Sequence, residues 1–366
     1  MSQFEKEYKK IIEYYDKGMA DRDILLLRER LKERPLVIFG IGEMGIANAQ
    51  FCRDNEITIT CFCDSHIKGI VNEFSLPILS PGDIWKKYKN ANIVISSATF
   101  YDDILDACFS LGFTSDNIVD DFPQQLGRIS LKELEVHLEG YKWAYDYFQD
   151  EQSKEIILAR IKGLLFGKNM KRSNSKQYFE EGLIELCEQE ILVDAGGYIG
   201  DTIEDYISVM GDNYKHIYTF EPDEKNRKIL AKKFGENKKI SIVPKGLWNE
   251  ETKLLFTKNG PCGSFINASG EDVIPVTALD VYFSQCVPED LPTYIKMDIE
   301  GAEKELLLGA ESLIRKYKPK LAVCVYHKLQ DIYELTQLLH QYNPNYKMYL
   351  RHYTRNVFDT VLYALP

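Results

Sequence analysis

Residues 193–202 read Val-Asp-Ala-Gly-Gly-Tyr-Ile-Gly-Asp-Thr, and residues 218–223 read Tyr-Thr-Phe-Glu-Pro-Asp. The first stretch is D-x-G-x-x-x-G. Its acid, Asp194, ends an apolar run, and its glycines form the turn that follows. The second stretch ends the next apolar run on an acid, Glu221, and Pro222 stops the strand there. This is a strand–turn–helix–strand unit with both acids at strand ends. Working outward, strands are expected at 191–194, 216–220, 240–244, 293–297 and 320–326, with helices between them. Such alternation makes a parallel sheet with helices outside. Residues 345–350 and 357–364 are two strands with no helix between them, so they must pair antiparallel. Thr252–Phe256 and Val273–Val276 read as an inserted hairpin whose turn holds Asn259, Gly260, Pro261 and Gly263.

The D-x-G-x-x-x-G loop suits a ligand with no pyrophosphate. S-adenosylmethionine, with an amino-acid end and a ribose, is such a ligand. The candidate cofactor residues are Asp194, Ala195, Gly196, Gly197, Tyr198, Gly200, Asp201, Thr202, Glu221, Pro222, Gly246 and Trp248. Gly196 removes a side chain where the cofactor crosses the strand tip. Gly200 lets the following helix approach. Asp194 faces the donor's ammonium, directly or through water, and Thr202 bonds its carboxylate. Glu221, with two oxygens, takes both ribose hydroxyls. Trp248, beside Gly246 and Leu247, sits where an adenine would lie. A capped strand end explains either acid alone, and sheet-edge packing explains Trp248 equally well.

The stretches VDAGGYIGDT, YTFEPD, VPKGLW, VTALD, YIKMDIEGAE, KPKLAVCVYH and RHYTRN fall in order across residues ~175–366. In this order they resemble an FkbM-family methyltransferase domain. DEQSK at 150–154 and QYF at 177–179 resemble what precedes it in some members. The resemblance implies a class I, S-adenosylmethionine-dependent methyltransferase, usually acting on oxygen, with hydroxyls of glycans and polyketides as acceptors.

A methyl transfer to a hydroxyl needs donor and acceptor held in line, and a base or a metal to activate a poor nucleophile. Asp298 and Glu300 follow the apolar run Tyr294–Met297 and precede a helix expected near Gly301. One acid would orient the acceptor hydroxyl, and the other would help hold a divalent ion. Capping of that helix is the plain alternative. His327 follows the run Leu321–Tyr326 on the next strand, and as a neutral imidazole it is the first choice of base, with Asp298 second. Lys296 is expected to pair with Asp298 or Glu300. His352 lines an acceptor pocket or a plain loop. The late tyrosines, among them Tyr326, Tyr342, Tyr346, Tyr353 and Tyr363, offer sugar-binding faces or ordinary core. His66, His137, His216 and His340 have no chemical context.

A second glycine turn precedes all of this. Gly40-Ile41-Gly42-Glu43-Met44-Gly45 is a complete G-x-G-x-x-G between the strand at 36–39 and a helix at 46–54. Asp64 ends the next strand, roughly 20 residues past Gly45, where an acid would meet a ribose. Further strands are expected at 57–64, 92–98 and 118–119, with helices at 3–34 (broken at Gly18), 81–88 and 101–111. The candidate second nucleotide site is Gly40, Gly42, Glu43, Met44, Gly45 and Asp64. Its ligand is a nucleotide-linked sugar, NAD(P), or none if the turn serves packing. The span VIFGIGEMG, CFCDS and LPILSPGDI resembles the small nucleotide-binding domains in front of sugar-modifying acyltransferases.

The chain of 366 residues is thus read as α/β, two tandem Rossmann-like units. The divisions are 1–125, a helical linker at 126–190, and a methyltransferase domain at 191–366. The polar break KNMKRSNSKQ at 168–177 is a linker or a lid over an anionic ligand. Forty-five basic against 56 acidic residues give a net charge of −11, which argues against a general nucleic-acid binder. No run of 18 apolar residues exists, so no spanning helix is expected. The eight cysteines form no C-x-x-C and read as reduced thiols of a cytoplasmic protein. The partner expected is a small-molecule or glycan acceptor. The rival functions are an NAD(P)-dependent oxidoreductase and a non-catalytic donor-binding module.

Overall fold

The computed structural model describes residues Met1–Pro366 apart from 99, 261–262, 267–269 and 271, and apart from the side chains of 258–260 and 263–266. The chain divides into two compact units. The first comprises Met1–Val136, Glu155–Lys171 and Thr354–Phe358. The second comprises His137–Lys154, Arg172–Tyr353 and Asp359–Pro366.

The first unit holds helices α1 (Gln3–Asp16), α2 (Met19–Leu31), α3 (Glu43–Asp54), α4 (Pro81–Lys87) and α5 (Tyr101–Leu111). Its strands are β1 (Leu36–Phe39), β2 (Cys61–Cys63), β3 (Gly69–Val71), β4 (Leu76–Leu79) and β5 (Asn92–Ile95). Ser2 and Glu5 close a reciprocal capping box that starts α1. Ser80 caps α4 with Pro81 in its first turn. The sheet order is β3-β4-β2-β1-β5, and every residue of β1 and β5 is buried, as strands covered on both faces require. The sheet differs from the expected all-parallel one, because β3 runs antiparallel on β4 at its edge. The strand expected at 118–119 is absent. A 3-10 turn at Ser115–Asn117 leads in, and Ile118 makes one isolated bridge to Ile93.

Helices α6 (Leu131–Tyr147) and α7 (Glu151–Phe166) follow, as the sequence predicts for this segment. The second unit then builds β6 (Ile191–Ala195), α8 (Asp201–Met210), β7 (His216–Phe220), α9 (Glu224–Phe234), β8 (Ile240–Val243), β9 (Gly246–Leu247), β10 (Thr252–Gly260), β11 (Gly263–Ile266) and β12 (Asp272–Thr277). After these come α10 (Leu279–Tyr282), β13 (Tyr294–Met297), α11 (Glu303–Leu308), α12 (Glu311–Tyr317), β14 (Lys320–Cys324), α13 (Asp331–Tyr342), β15 (Lys347–His352) and β16 (Thr360–Leu365). The main sheet runs β15-β16-β14-β13-β6-β7-β8. β8 to β14 are parallel, and β16 enters antiparallel between β14 and β15. The expected closing antiparallel pair is therefore present. The expected hairpin is larger than read: β10 pairs antiparallel with both β11 and β12, and β12 lies parallel to β9. Pro261 of its expected turn lies outside the described residues.

Crossovers from β6 lead to β7 and β8 on one side, and later strands β13 and β14 lie on its other side. The order therefore reverses between β6 and β13. In open α/β sheets, the crevice beyond the carboxyl ends of two such strands is where ligands bind. Around it the core is continuous, from Leu192, Ile217 and Tyr294 to Tyr206, Leu230 and Tyr363.

Candidate functional site

β6 ends in the D-x-G-x-x-x-G loop and β13 ends in Asp298, so the two meet at the reversal point. Their contact dictates glycine at 196. Its φ is +85°, and a Cβ there would lie 2.0 Å from the Asp298 carbonyl oxygen. Gly197 is equally bound, since a Cβ would lie 2.0 Å from Thr219 Oγ1. Gly196 is thus needed for the neighbouring strand tip, and this contact is the structural basis for a residue first read as making room for a cofactor. Gly200 makes room for α9 rather than for the helix it opens, because its Cβ would meet Phe234 at 2.4 Å and Leu230 at 2.9 Å.

Asp194 is fully buried. Its Oδ1 accepts from Lys296 Nζ at 2.9 Å and its Oδ2 from Thr219 Oγ1 at 3.0 Å. Lys296 does not pair with Asp298 or Glu300 as expected. It stands directly across from Asp194 in the β13–β6 register, which brings the two side chains to one place. Its ammonium also donates to Gly196 O at 2.9 Å. Burial lowers the lysine's proton affinity, but Asp194 and Asp298 facing it more than offset this and hold it charged. Lys296 therefore ties the acid, the loop backbone and β13 together. Thr202 is buried in the first turn of α8, whereas Asp201 is exposed.

Glu221 closes β7 and is 5% exposed. Its Oε2 accepts from the Tyr198 amide at 2.8 Å and its Oε1 from the Asp223 amide at 2.7 Å. Burial raises its pKa to about 7 against these two amide bonds. Tyr198 itself holds a φ of +43° and is 57% exposed, a strained, open residue at the loop's tip. Gly246 lies against Pro222, and Trp248 packs beside Phe256, Ile274 and Val276 on the inserted sheet.

The second cluster lies at the tips of β13 and β14. His327 Nε2 is 3.5 Å from Asp298 Oδ1 and 3.3 Å from Glu300 Oε2, and its Nδ1 is 3.2 Å from Glu303 Oε1. The three residues singled out from sequence are thus brought together. The ring's charge differs from expectation. Burial lowers its pKa, but Glu303, Glu300 and Asp298 outweigh burial and lift it to about 11, so the ring carries a proton instead of being a neutral base. Asp298 is held below the usual carboxylate range: burial raises it, and Lys296 and His327 lower it further. It accepts from Tyr178 OH at 2.8 Å and Tyr326 OH at 3.2 Å.

Neither Asp298 nor Glu300 caps the following helix. Glu300 has a φ of +56° and Gly301 one of +89°, so the chain turns before α11 begins. Glu303 braces that turn, accepting from the Ile299 amide at 2.9 Å. Glu303 and Tyr178 were not singled out from sequence. The acid of DIEGAE one turn past Glu300 was a readable signal, whereas nothing near Tyr178 points to Asp298.

Other expected residues lie elsewhere. His352 is buried at the end of β15, with its Nδ1 2.9 Å from Thr360 Oγ1. His137 meets Tyr333 OH, and His216 meets Ser241 Oγ. Tyr342, Tyr346 and Tyr363 are core residues and offer no sugar-binding face. Of the cysteines among the described residues, Cys187 and Cys286 are exposed and the rest are buried thiols.

In the first unit, Gly40 has a φ of +106° and would place a Cβ 2.8 Å from Ser96 O. Gly45 would place one 2.0 Å from Gly40 O, whereas Gly42 faces open space. Gly42 opens on a shallow hollow with Glu43, Gln50 and Glu73. Asp64 spends one oxygen on the His66 and Ile67 amides of its own turn.

Residues 194–351 match the family model of the methyltransferase FkbM domain. No curated protein compared matches the chain. Among solved structures it is similar to the methyltransferase FkbM of Methylobacillus flagellatus, with a TM-score of 0.63 at 20% identity over 98% of this chain and 99% of that one. This likeness shows a shared fold. It also matches Aeropyrum pernix fibrillarin, solved with natively bound S-adenosyl-L-methionine, with a TM-score of 0.33 at 13% identity over 50% of this chain and 71% of that one. An rRNA methylase of Streptococcus thermophilus matches with a TM-score of 0.30 at 14% identity over 50% of this chain and 90% of that one. Among the described residues, no helix is long and apolar enough to cross a membrane.

Proposed function

From the premise that residues 194–351 form a methyltransferase FkbM domain, we propose that the second unit transfers the methyl group of S-adenosylmethionine to a hydroxyl of a carbohydrate or glycoconjugate. The observation that carries this reading is Glu221. It is a buried carboxylate at the tip of β7, tied to the glycine loop through the Tyr198 amide. At that point it accepts both hydroxyls of a ribose, which a sulfonium nucleoside offers. The loop from Asp194 to Thr202 holds the amino-acid end, and Pro222, Gly246 and Trp248 flank the adenine.

Asp298, Glu300 and His327 frame the acceptor. The acceptor oxygen attacks the methyl carbon in line as the carbon–sulfur bond breaks. The bonding pair leaves with sulfur, and S-adenosylhomocysteine forms. The hydroxyl proton goes to Glu300, the most exposed of the three carboxylates around His327. His327, already protonated, supplies positive charge beside the acceptor oxygen. A screen of glycans and nucleotide-linked sugars with methyl-labelled donor and the full-length protein tests this. The expected result is label on a hydroxyl with stoichiometric S-adenosylhomocysteine. Donor binding without transfer to any hydroxyl would favour a non-catalytic module, and no donor binding would remove the reading altogether.

The first glycine turn is read as a packing device. Gly40 and Gly45 are required by backbone contacts, and Glu43 and Glu73 at the hollow repel a pyrophosphate. Titration of the full-length protein with NADH and with a uridine diphosphate sugar is expected to show no binding in this unit. Saturable NADH binding abolished by Gly42→Val would restore the dinucleotide reading.

A further inference from the structure

We propose that Asp298, Glu303 and His327 form a binding site for one divalent first-row cation, Mn²⁺ being the ion the ligands fit best. The fold assembles the site from three directions. Asp298 leaves the tip of β13, His327 lies just beyond the end of the adjacent strand β14, and Glu303 opens α11 after the turn at Glu300 and Gly301. Each offers one ligand atom, and these atoms lie within 4.8 Å of one another. Ligands about 2.1 Å from a shared ion are separated by roughly 3–4 Å, so side-chain rotations that draw the widest pair in by about 1–2 Å close the set.

An independent observation points to a cation there. The His327 side chain is 10% exposed, and neither of its ring nitrogens makes a hydrogen bond of acceptable geometry. The Glu303 side chain is 1% exposed, and its Oε2 has no hydrogen-bond partner, because the Ile299 and Gly301 amides both reach Oε1. Buried polar atoms are nearly always satisfied. Three buried atoms in one cluster lack a well-formed hydrogen bond, although three carboxylates stand 3.2–3.5 Å from the ring nitrogens. A proton on the ring leaves the unmet Glu303 oxygen where it is. A cation would displace the ring proton and be held by one ring nitrogen, one Glu303 oxygen and Asp298.

The charge around the cluster agrees. Asp298, Glu300, Glu303, Asp331 and Asp359 face it from four elements. Of the lysines close by, Lys296 is committed to Asp194, and the Lys328 ammonium bonds the Gly301 carbonyl. The carboxylates outnumber the cations that could balance them. One imidazole with two carboxylates is a mixed set. It is too rich in nitrogen for Ca²⁺ and too rich in oxygen for a structural Zn²⁺ site, which leaves Mn²⁺ and its neighbours.

Resting on the methyl-transfer reading, the ion would stand beside the donor loop, since Gly196 packs on Asp298. An acceptor hydroxyl would then enter as a further ligand, with Glu300 free to take its proton. The binding test does not depend on that reading. Full-length protein freed of metal with a chelator is titrated with Mn²⁺ alone. The free-ion electron paramagnetic resonance signal is followed, with calorimetry in parallel. One equivalent is expected to bind per chain, with affinity falling at least about tenfold in both His327→Gln and Glu303→Gln. Circular dichroism and donor binding, measured without metal, verify that each variant is folded. If Glu303→Gln loses its fold, Asp298→Asn replaces it. Absence of a stoichiometric site, or a site unchanged in the folded variants, overturns the proposal. Mn²⁺ binding without donor binding would instead overturn the methyltransferase reading and leave this one standing.

Discussion

Lys296→Met is expected to destabilise the second unit by about 3–5 kcal/mol, the usual cost of breaking a buried ion pair from one side. Lys296 and Asp194 are 3% and 0% exposed, so the variant leaves a carboxylate with no counter-charge in a dry interior. Thr219 still donates to Asp194 Oδ2, but a hydroxyl dipole does not balance a full charge. The carbonyls of Ala195 and Gly196 lose the ammonium as well, so the loop loosens along with the core. In a unit of about 200 residues this corresponds to a melting point lower by roughly 6–20 °C. The double variant Lys296→Met, Asp194→Asn should recover a large part of the loss, because removing both charges removes the uncompensated one. A single-variant melting curve within 2 °C of the parent would show that the pair is dispensable.

This pair also marks where sequence reading stops. The glycine loop after β6 was legible because its requirements are local. Gly196 and Gly200 hold φ values of +85° and +88°, and an acid ends each of two apolar runs. The strands at 191–195, 216–220, 294–297 and 320–324 were legible because each is buried along most of its length and is mainly apolar. Lys296 sits inside one of those runs, and its partner depends on which strand lies beside β13. Sequence spacing points to Asp298, two residues on, whereas the register places Asp194 opposite.

The same limit applies to the cluster at the tips of β13 and β14. Asp298, Glu300 and His327 were found because they end strands. The charge state of His327 was not, because it depends on Glu303 entering from α11. Short pieces were missed for a different reason. β3 and β4 have only three and four residues with mixed burial, β3 lies at the sheet edge and Pro77 interrupts β4, so neither gives a clear strand pattern. The β9–β12 sheet was read as a simple hairpin because β9 has only two residues, and its parallel pairing with β12 leaves no trace in the sequence.

Glu221→Gln is expected to weaken donor binding by about 10- to 150-fold, the range of ~1.5–3 kcal/mol for hydrogen bonds to a charged group. The carboxylate offers acceptors on both oxygens, and each already holds one backbone amide. An amide in its place offers one acceptor oxygen and turns a donor toward either the loop or the ribose. The pH dependence separates this role from simple bracing. With a folded-state pKa of about 7, the group is half protonated at neutral pH in the free protein. If the ribose selects the carboxylate, donor affinity falls as pH drops below about 7, approaching tenfold per unit. Glu221→Gln should flatten that profile. Stability carries the opposite sign. A carboxyl whose folded pKa lies above its unfolded value of about 4.3 makes the free protein lose stability as pH rises between those two values. The variant should lack this component of the slope, so the residue that strengthens donor binding at high pH weakens the empty fold there. Calorimetric titrations with S-adenosylmethionine from pH 5.5 to 8.5, paired with denaturant melts of the free protein, read both effects. A wild-type affinity that does not change over this range would remove Glu221 from the donor site.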